Sequence, residues 1–413
     1  MKKTLIRNIG ALLTCSSKIS GTPNILDSMG DLSIINNAAM LFDEEILWIG
    51  TESALPEESV YDELVDAQGR VIMPGFVDSH THCVFAGNRS DEFARRLRGV
   101  SYQTIAAEGG GILNTVRAVR AASIDQLANQ GIDLAMNAMK YGTTTIEMKS
   151  GYGLTLESEL TLLKAIKIVN NEVPLRVIPT FLGAHDIPPE YRHNPDLYVD
   201  IICKDMLPAV KEEQLAVFCD VFTDTGYFTI QQSEKILNTA RELGFKIKVH
   251  ADELSPFGAA EMAGSLKAIS ADHLLYISKN GIESMKRNGC IGTLLPGTAY
   301  TLHLPYAPAR LMIDSGMTIA LASDCNPGSC FTENMQIILS LATTNMGMSI
   351  EEAIMASTLH GAFALNIGDE CGSLEIGKSA DFHMLNTNTY PELLYHFGVN
   401  HTQNVWIKGT KVV

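Results

Sequence analysis

No apolar run in this sequence approaches the ~18 residues that a membrane-spanning helix needs, which argues against a membrane as its location or partner. The N-terminal run Met1-Lys2-Lys3-Thr4-Leu5-Ile6-Arg7-Asn8 starts basic. Arg7, Asn8, Gly10 and the stretch Cys15-Ser16-Ser17-Lys18 then interrupt any apolar core of the signal-peptide kind, so no secretory signal is expected. The eight cysteines form no Cys-x-x-Cys pair and no small-scaffold pattern, which fits reduced thiols in a cytoplasm. Cys83 and Cys325 are expected to be buried, inert thiols. Cations are scarce: 31 Lys and Arg stand against 47 Asp and Glu, for a formal charge of −16. That balance argues against nucleic acid or an anionic surface as partner, and an anionic ligand would need a local cationic anchor. Arg89, Arg95, Arg96 and Arg98 form the one dense basic cluster. There is no low-complexity segment, no fixed-period repeat, and no Gly-x-Gly-x-x-Gly after the first strong strand.

What is present is a long chain, 413 residues with 46% hydrophobic and 19% charged residues, enough for two or three domains or one barrel with an appendage. Residues 1–66 alternate short β-like runs (Thr4–Ile6, Ala11–Thr14, Ala38–Phe42, Ile46–Gly50) with polar turns, which reads as a small antiparallel sheet. Residues 371–413 return to this style in Gly372–Lys378, Ala380–Leu385 and Val405–Gly409, so the two ends are expected to build one composite β-domain. Between them, residues 67–370 alternate apolar strands with helix-period stretches. Eight candidate strands are Val71–Asp78, Thr143–Met148, Leu175–Leu182, Cys219–Phe222, Lys246–His250, Ala268–Ala271, Ile291–Leu295 and Thr318–Ala322. The helical stretches include Ile124–Tyr141, Glu157–Asn170, Glu234–Leu243 and Ile350–Leu365. Eight such repeats predict an α/β fold, a closed (β/α)8 barrel, with a doubly wound open sheet as the alternative.

Polar residues recur at the ends of these strands. His80 and His82 close the first, where residues two apart share a face with Cα atoms about 6–7 Å apart. His185 follows the third strand, His250 ends the fifth, His273 follows the sixth and Asp324 follows the eighth. A parallel barrel gathers all these ends on one rim, the face where barrel active sites lie. Three imidazoles and a carboxylate around one divalent ion describe a hydrolytic site, in which the ion brings the pKa of water towards ~7. Zn²⁺ is favoured on softness, with Fe²⁺ or Mn²⁺ also suited. The fourth strand offers Asp220 and Asp224 but no Lys to bridge a second ion, so one metal is expected. Glu253 is either a proton shuttle or a solvated loop acid, and His273 either a fourth His ligand or a base beside the ion. His193, His303, His360, His383, His396 and His401 are expected to be structural or on the surface.

The runs Val84–Arg89, Gly109–Ile112, Glu147–Leu154, Phe181–His185, His250–Glu253 and Ser323–Ser329 resemble the amidohydrolase superfamily and, within it, the imidazolonepropionase family, over essentially the whole chain. That resemblance implies a metal-dependent hydrolase barrel with a composite β-sandwich, and one Zn²⁺ or iron ion held by His80, His82, His250 and Asp324. It places substrate contacts on Arg89, Tyr152, His185, Glu253, Asn326, Gly328 and Ser329, and sets His273 beside the reacting water. It also implies hydrolysis of 4-imidazolone-5-propanoate to N-formimidoyl-L-glutamate, with a homodimer expected. Asp324 or His273 would accept the water's proton, His185 would position the ring, and Glu253 would move a proton to the departing nitrogen. The chemistry agrees: Arg89 can grip a propionate bidentately and Tyr152 can add a hydroxyl. A cytosine- or guanine-type deaminase is the nearest alternative, and Arg89 with Tyr152 speaks against it because a nucleobase needs no carboxylate anchor. A catalytically dead scaffold and a carbohydrate- or phosphate-handling barrel are more distant ones, opposed by the full ligand set and the missing glycine-rich phosphate loop.

Overall fold

The computed structural model describes residues 2–16, 29–100, 104–105 and 108–413; Met1, Ser17 and Lys18 of the N-terminal stretch discussed above lie outside them. The chain opens with five strands, β1 (Thr4–Leu13), β2 (Ile34–Phe42), β3 (Ile46–Thr51), β4 (Glu63–Asp66) and β5 (Val71–Pro74). Eight more follow: β6 (Phe76–Asp78), β7 (Thr143–Lys149), β8 (Arg176–Ala184), β9 (Phe218–Thr223), β10 (Lys246–Ala251), β11 (Ser270–His273), β12 (Ile291–Leu294) and β13 (Ile319–Leu321). The last three are β14 (Phe382–Leu385), β15 (Thr402–Ile407) and β16 (Thr410–Lys411).

Strands from both ends of the chain share one sheet in the order β16-β15-β14-β5-β1-β2-β3, with β4 also on β1. The two runs expected at Thr4–Ile6 and Ala11–Thr14 are one strand. A register shift between Ile6 and Ile9, with Asn8 at φ +56°, carries β1 through the polar interruption, and Asn tolerates that conformation better than most residues. The sheet is mixed rather than antiparallel, because β4 and β5 both run parallel to β1. Gly372–Lys378 is irregular and not a strand; it is tied to the sheet by Leu374 N donating to Thr14 O. The sheet's own core includes Phe42 edge-on to Phe382, which stacks on Trp406.

The expected first barrel strand, Val71–Asp78, is two strands in two sheets. Pro74 pairs with Phe382 in the composite sheet, while Phe76 pairs with Thr143 in the barrel. Gly75 makes the crossing: a Cβ there would lie 2.2 Å from the Thr144 side chain. Strands β6 to β13 then run parallel in sequence order, a (β/α)8 barrel. Its seam closes beyond the regular ladder, through the bridge of Thr81 to Cys325 and the bond from Asp324 N to His80 O, 3.0 Å. Two of the longer helices start where the sequence supplies caps, at Ser123 with Gln126 and Thr229 with Gln232. The stretch expected as one helix over Ile350–Leu365 breaks at Thr358, whose φ −125° and ψ −94° are not helical.

Candidate metal centre and substrate cavity

The six strand-end residues meet at one rim. Regular pairing of β6 stops at Asp78, but His80-x-His82 is held between two neighbours: Lys149 N donates to Thr81 O at 3.0 Å and His82 N to Cys325 O at 2.9 Å. Donor atoms of His80, His82 and His250 lie within 4.8 Å of one another. Asp324 Oδ1 stands 3.6 Å from Nε2 of both His80 and His82. Ligands about 2.0–2.1 Å from a tetrahedral ion are roughly 3.4 Å apart, so these spacings suit one. His80 Nε2 and His250 Nε2 are buried and have no hydrogen-bond partner among the described residues, as expected of atoms shaped for a metal. His273 lies outside the three-histidine cluster, its ring 5.2 Å from that of His250 and its Nε2 3.4 Å from Glu253 Oε2. His273 and Asp324 both take left-handed backbone conformations, φ +78° and +52°, strain that concentrates at functional sites.

Behind the rings sit carboxylates. His80 Nδ1 is 2.6 Å from Asp272 Oδ2, and His250 Nδ1 is 2.9 Å from Asp220 Oδ2, the latter without hydrogen-bond alignment. Burial would raise Asp220, but His250 and Lys149 hold it well below the usual carboxylate range. Burial, then Lys149 and the neighbouring imidazoles, lowers His80, His82 and His273 well below the ordinary imidazole value, so these rings are neutral and free to ligate or accept a proton. His185 falls to about 3 for the same reason. Burial raises Asp324 to about 6, and raises Glu253 well above the usual range with Asp324 and Asp224 adding to the effect.

A cavity of about 650 Å³ opens onto this cluster. His82, His250, His273, Asp324, Arg89, Tyr152, His185, Glu253, Asn326, Gly328 and Ser329 all line it, while His80 lies beneath. The His185 ring stacks on His82 at 5.0 Å, and its Nδ1 bonds to Gly151 O at 3.0 Å. Arg89 Nε donates to Glu92 Oε2 at 2.9 Å, and its guanidinium rests on Gly328, where a Cβ would be 2.1 Å from Nη1. Asn326 spends its side chain inside its own loop: Nδ2 donates to Asp324 O and Ser329 Oγ, and Oδ1 accepts from the amides of Gly328 and Ser329. His303, expected to be structural or on the surface, lines the cavity, as do Arg96, Phe222 and Tyr227, which sequence reasoning missed. Arg96 alone carried a signal, its place in the basic cluster. The buried partners Asp272, Lys149 and Lys248 were missed as well, and their signal was strand parity: Lys248 is two residues before His250.

A model of the amidohydrolase family matches residues 71–412. The imidazolonepropionase of Parabacteroides distasonis is 45% identical over 401 residues, 96% of each chain. That of Symbiobacterium thermophilum is 45% identical over 419 aligned positions, 99% of this chain and 97% of its own. Among solved structures, a triazine hydrolase variant superposes with a TM-score of 0.79 at 16% identity, covering 100% of this chain and 95% of its own. The guanine deaminase from C. acetobutylicum with bound guanine gives 0.70 at 16%, covering 100% of both chains. The adenosine deaminase from Xanthomonas campestris with bound zinc gives 0.72 at 16%, covering 99% and 92%. At that identity the structures share the fold alone. The extent of the family match and the near-complete overlap with close relatives settle the grouping: the chain belongs to the amidohydrolase family and, within it, groups with the imidazolonepropionases.

Proposed function

We propose that this enzyme hydrolyses the ring amide of 4-imidazolone-5-propanoate to N-formimidoyl-L-glutamate, a step in histidine degradation. The observation that carries the reading is Arg89, its guanidinium seated on Gly328 in the same cavity as a three-histidine, one-carboxylate cluster. The deaminase alternative is not favoured, since relatives named imidazolonepropionase share 45% identity and the guanine deaminase structure 16%.

His80, His82, His250 and Asp324 would hold one divalent ion, Zn²⁺ or iron, on the strength of their donor types and the unpartnered ring nitrogens. Such an ion supplies Lewis acidity towards water and the ring carbonyl. Arg89 binds the propionate through its Nη atoms, with Tyr152, Gly328 and Ser329 around it. His185, its Nδ1 bonded to Gly151 O, presents its other nitrogen to the ring. His273, neutral at working pH, accepts the water's proton, with Asp324 the second candidate for that step. Glu253, protonated through burial and 3.4 Å from His273, delivers a proton to the departing ring nitrogen. Asn326 acts by shaping the loop that presents Gly328 and Ser329.

The same reading takes residues 67–370 as the catalytic unit and residues 1–66 with 371–413 as the composite β-domain. It places a homodimer in the cytoplasm; the eight cysteines, all buried and unpaired, suit that compartment, and no helix among the described residues is long and apolar enough to cross a membrane. The test is loss of imidazolone ultraviolet absorbance on a metal-loaded preparation, alongside a panel of cyclic amides and nucleobases. Turnover of a nucleobase without turnover of the imidazolone would overturn the assignment.

A further inference from the structure

Barrel interiors are ordinarily filled by layers of branched apolar side chains. The layer under this centre is ionic: Glu147 and Lys149 from β7, Asp220 from β9, Lys248 from β10 and Asp272 from β11 are all fully buried. Buried ion pairs are often no better for stability than apolar residues of similar volume, so their presence asks for another role. Lys149 Nζ lies 2.8 Å from Asp220 Oδ2, 2.9 Å from Glu147 Oε2 and 3.8 Å from Asp272 Oδ2. Lys248 Nζ donates to Ser79 O at 2.7 Å and to Glu147 Oε2 at 3.1 Å, and lies 3.6 Å from Asp272 Oδ2. The oxygens that Lys149 approaches on Asp220 and Asp272 are the same ones that face His250 Nδ1 and His80 Nδ1. Each carboxylate oxygen is thus shared between an ammonium below and an imidazole above. Lys149 itself does not line the cavity.

We propose that Lys149 is a positioning residue for the metal centre: by holding Asp220 and flanking Asp272 it fixes the orientation of His250 and His80, and so sets the affinity for the divalent ion. The inference rests on the metal-site reading given above. A ligating imidazole needs its far nitrogen to carry the hydrogen, and a carboxylate bonded behind the ring, as Asp272 is to His80 at 2.6 Å, enforces that tautomer only while it stays in place. Without Lys149, Asp220 loses the 2.8 Å contact that anchors it from below.

The test measures Zn²⁺ affinity by competition with a chromophoric chelator, and thermal unfolding of the same metal-stripped proteins. Lys149→Met should weaken Zn²⁺ binding by roughly 10–100-fold, the usual cost of losing a group that orients metal ligands. Asp220→Asn should also weaken it, and the double variant should lose less than the two single losses combined, because the shorter of the two aspartate contacts of Lys149 is with Asp220. Should Lys149→Met fail to fold, Glu147→Gln/Lys149→Met removes one charge of each sign and carries the same expectation. Affinity within about twofold of wild type, with only the metal-free unfolding temperature lowered, would show that Lys149 serves the fold alone and overturn the proposal. Wild type that binds no stoichiometric Zn²⁺ would sink the metal-site reading itself, a distinct outcome.

Discussion

Replacing Arg89 with Met tests substrate identity most directly. The side chain is about as long and apolar, so it removes the guanidinium while largely keeping the packing. In the structure Arg89 Nε is committed to Glu92, which leaves the Nη pair for a ligand carboxylate in a nearly buried setting, the side chain being 10% exposed. Hydrogen bonds to charged groups contribute about 1.5–3 kcal/mol each, so losing a bidentate pair costs on the order of 3–5 kcal/mol. At about 1.4 kcal/mol per tenfold, kcat/KM for 4-imidazolone-5-propanoate should fall by roughly 10²- to several-thousand-fold. An imidazolone lacking the propionate never used the contact, and its kcat/KM should change by only a few-fold. Arg89→Lys should recover part of the loss, because ammonium keeps the charge without the planar fork. Glu92 should hold its place in the variant, since it also accepts from Gly111 N and Asn114 Nδ2, so the local backbone stays put. The assay is steady-state loss of imidazolone absorbance for both compounds across the three proteins. Equal losses for tailed and tailless substrates would mean that Arg89 supports the fold or the metal cluster, and the carboxylate anchor would be abandoned.

Gly328→Ala should reproduce part of that selective loss, because the new methyl occupies the position 2.1 Å from Arg89 Nη1 and displaces the guanidinium; an unchanged KM for the tailed substrate would contradict it. His80→Ala and Asp324→Ala should each lose both the ion and hydrolysis, measured by elemental analysis and turnover, and full activity in a metal-free preparation of either would refute the site. His273→Ala should lower turnover by about 10²-fold or more while metal content stays near one per chain, and loss of the ion would make His273 a ligand. His360, far from this chemistry against Ile319 O, is held by burial at about 4, below the ordinary imidazole value of 6.5. Between those values the unfolded chain binds the proton and the folded chain does not, so stability is full above about 6.5, falls as pH drops towards 4 and levels off below; the shift corresponds to about 3 kcal/mol. Urea unfolding at pH 7.5 and 4.5 should therefore show a smaller acid penalty for His360→Gln than for wild type, and identical penalties would exclude the titration.

The barrel was legible because its strands are apolar runs that stop at polar residues, and backbone pairing keeps those stops on one rim. What sequence reading blurred lies where apolarity runs on across a change of partner. Val71–Asp78 is apolar almost throughout, yet its first half belongs to the composite sheet and its second to the barrel. The break is written in Pro74-Gly75, where proline removes a ladder donor and glycine admits the close pass of Thr144. The opposite error occurred in β1, where polar Arg7-Asn8 suggested an end and a bulge carried the strand through.

The centre shows a different limit. His80, His82, His250 and Asp324 could be picked out because each stands at a strand end, where a polar residue is unexpected. Lys248, Asp220 and Asp272 sit inside strands and Lys149 closes one, where a charge is usually read as facing solvent. Parity corrects that reading: Lys248 and His250 share a face, as do Glu147 and Lys149, so residues two before a rim position point into the barrel too. Arg89 and Glu92 raise the same question on a helix, because an i,i+3 ion pair looks like surface decoration and would seem to cancel the cation that an acidic chain needs for an anionic ligand. The geometry answers it. Glu92 takes only the Nε edge, so the arginine is oriented and still keeps two donors on its outer face. A lysine, whose three donors sit on one atom, has no second edge to offer, which is why the pairing that holds this side chain in place does not compete with the ligand it is proposed to bind.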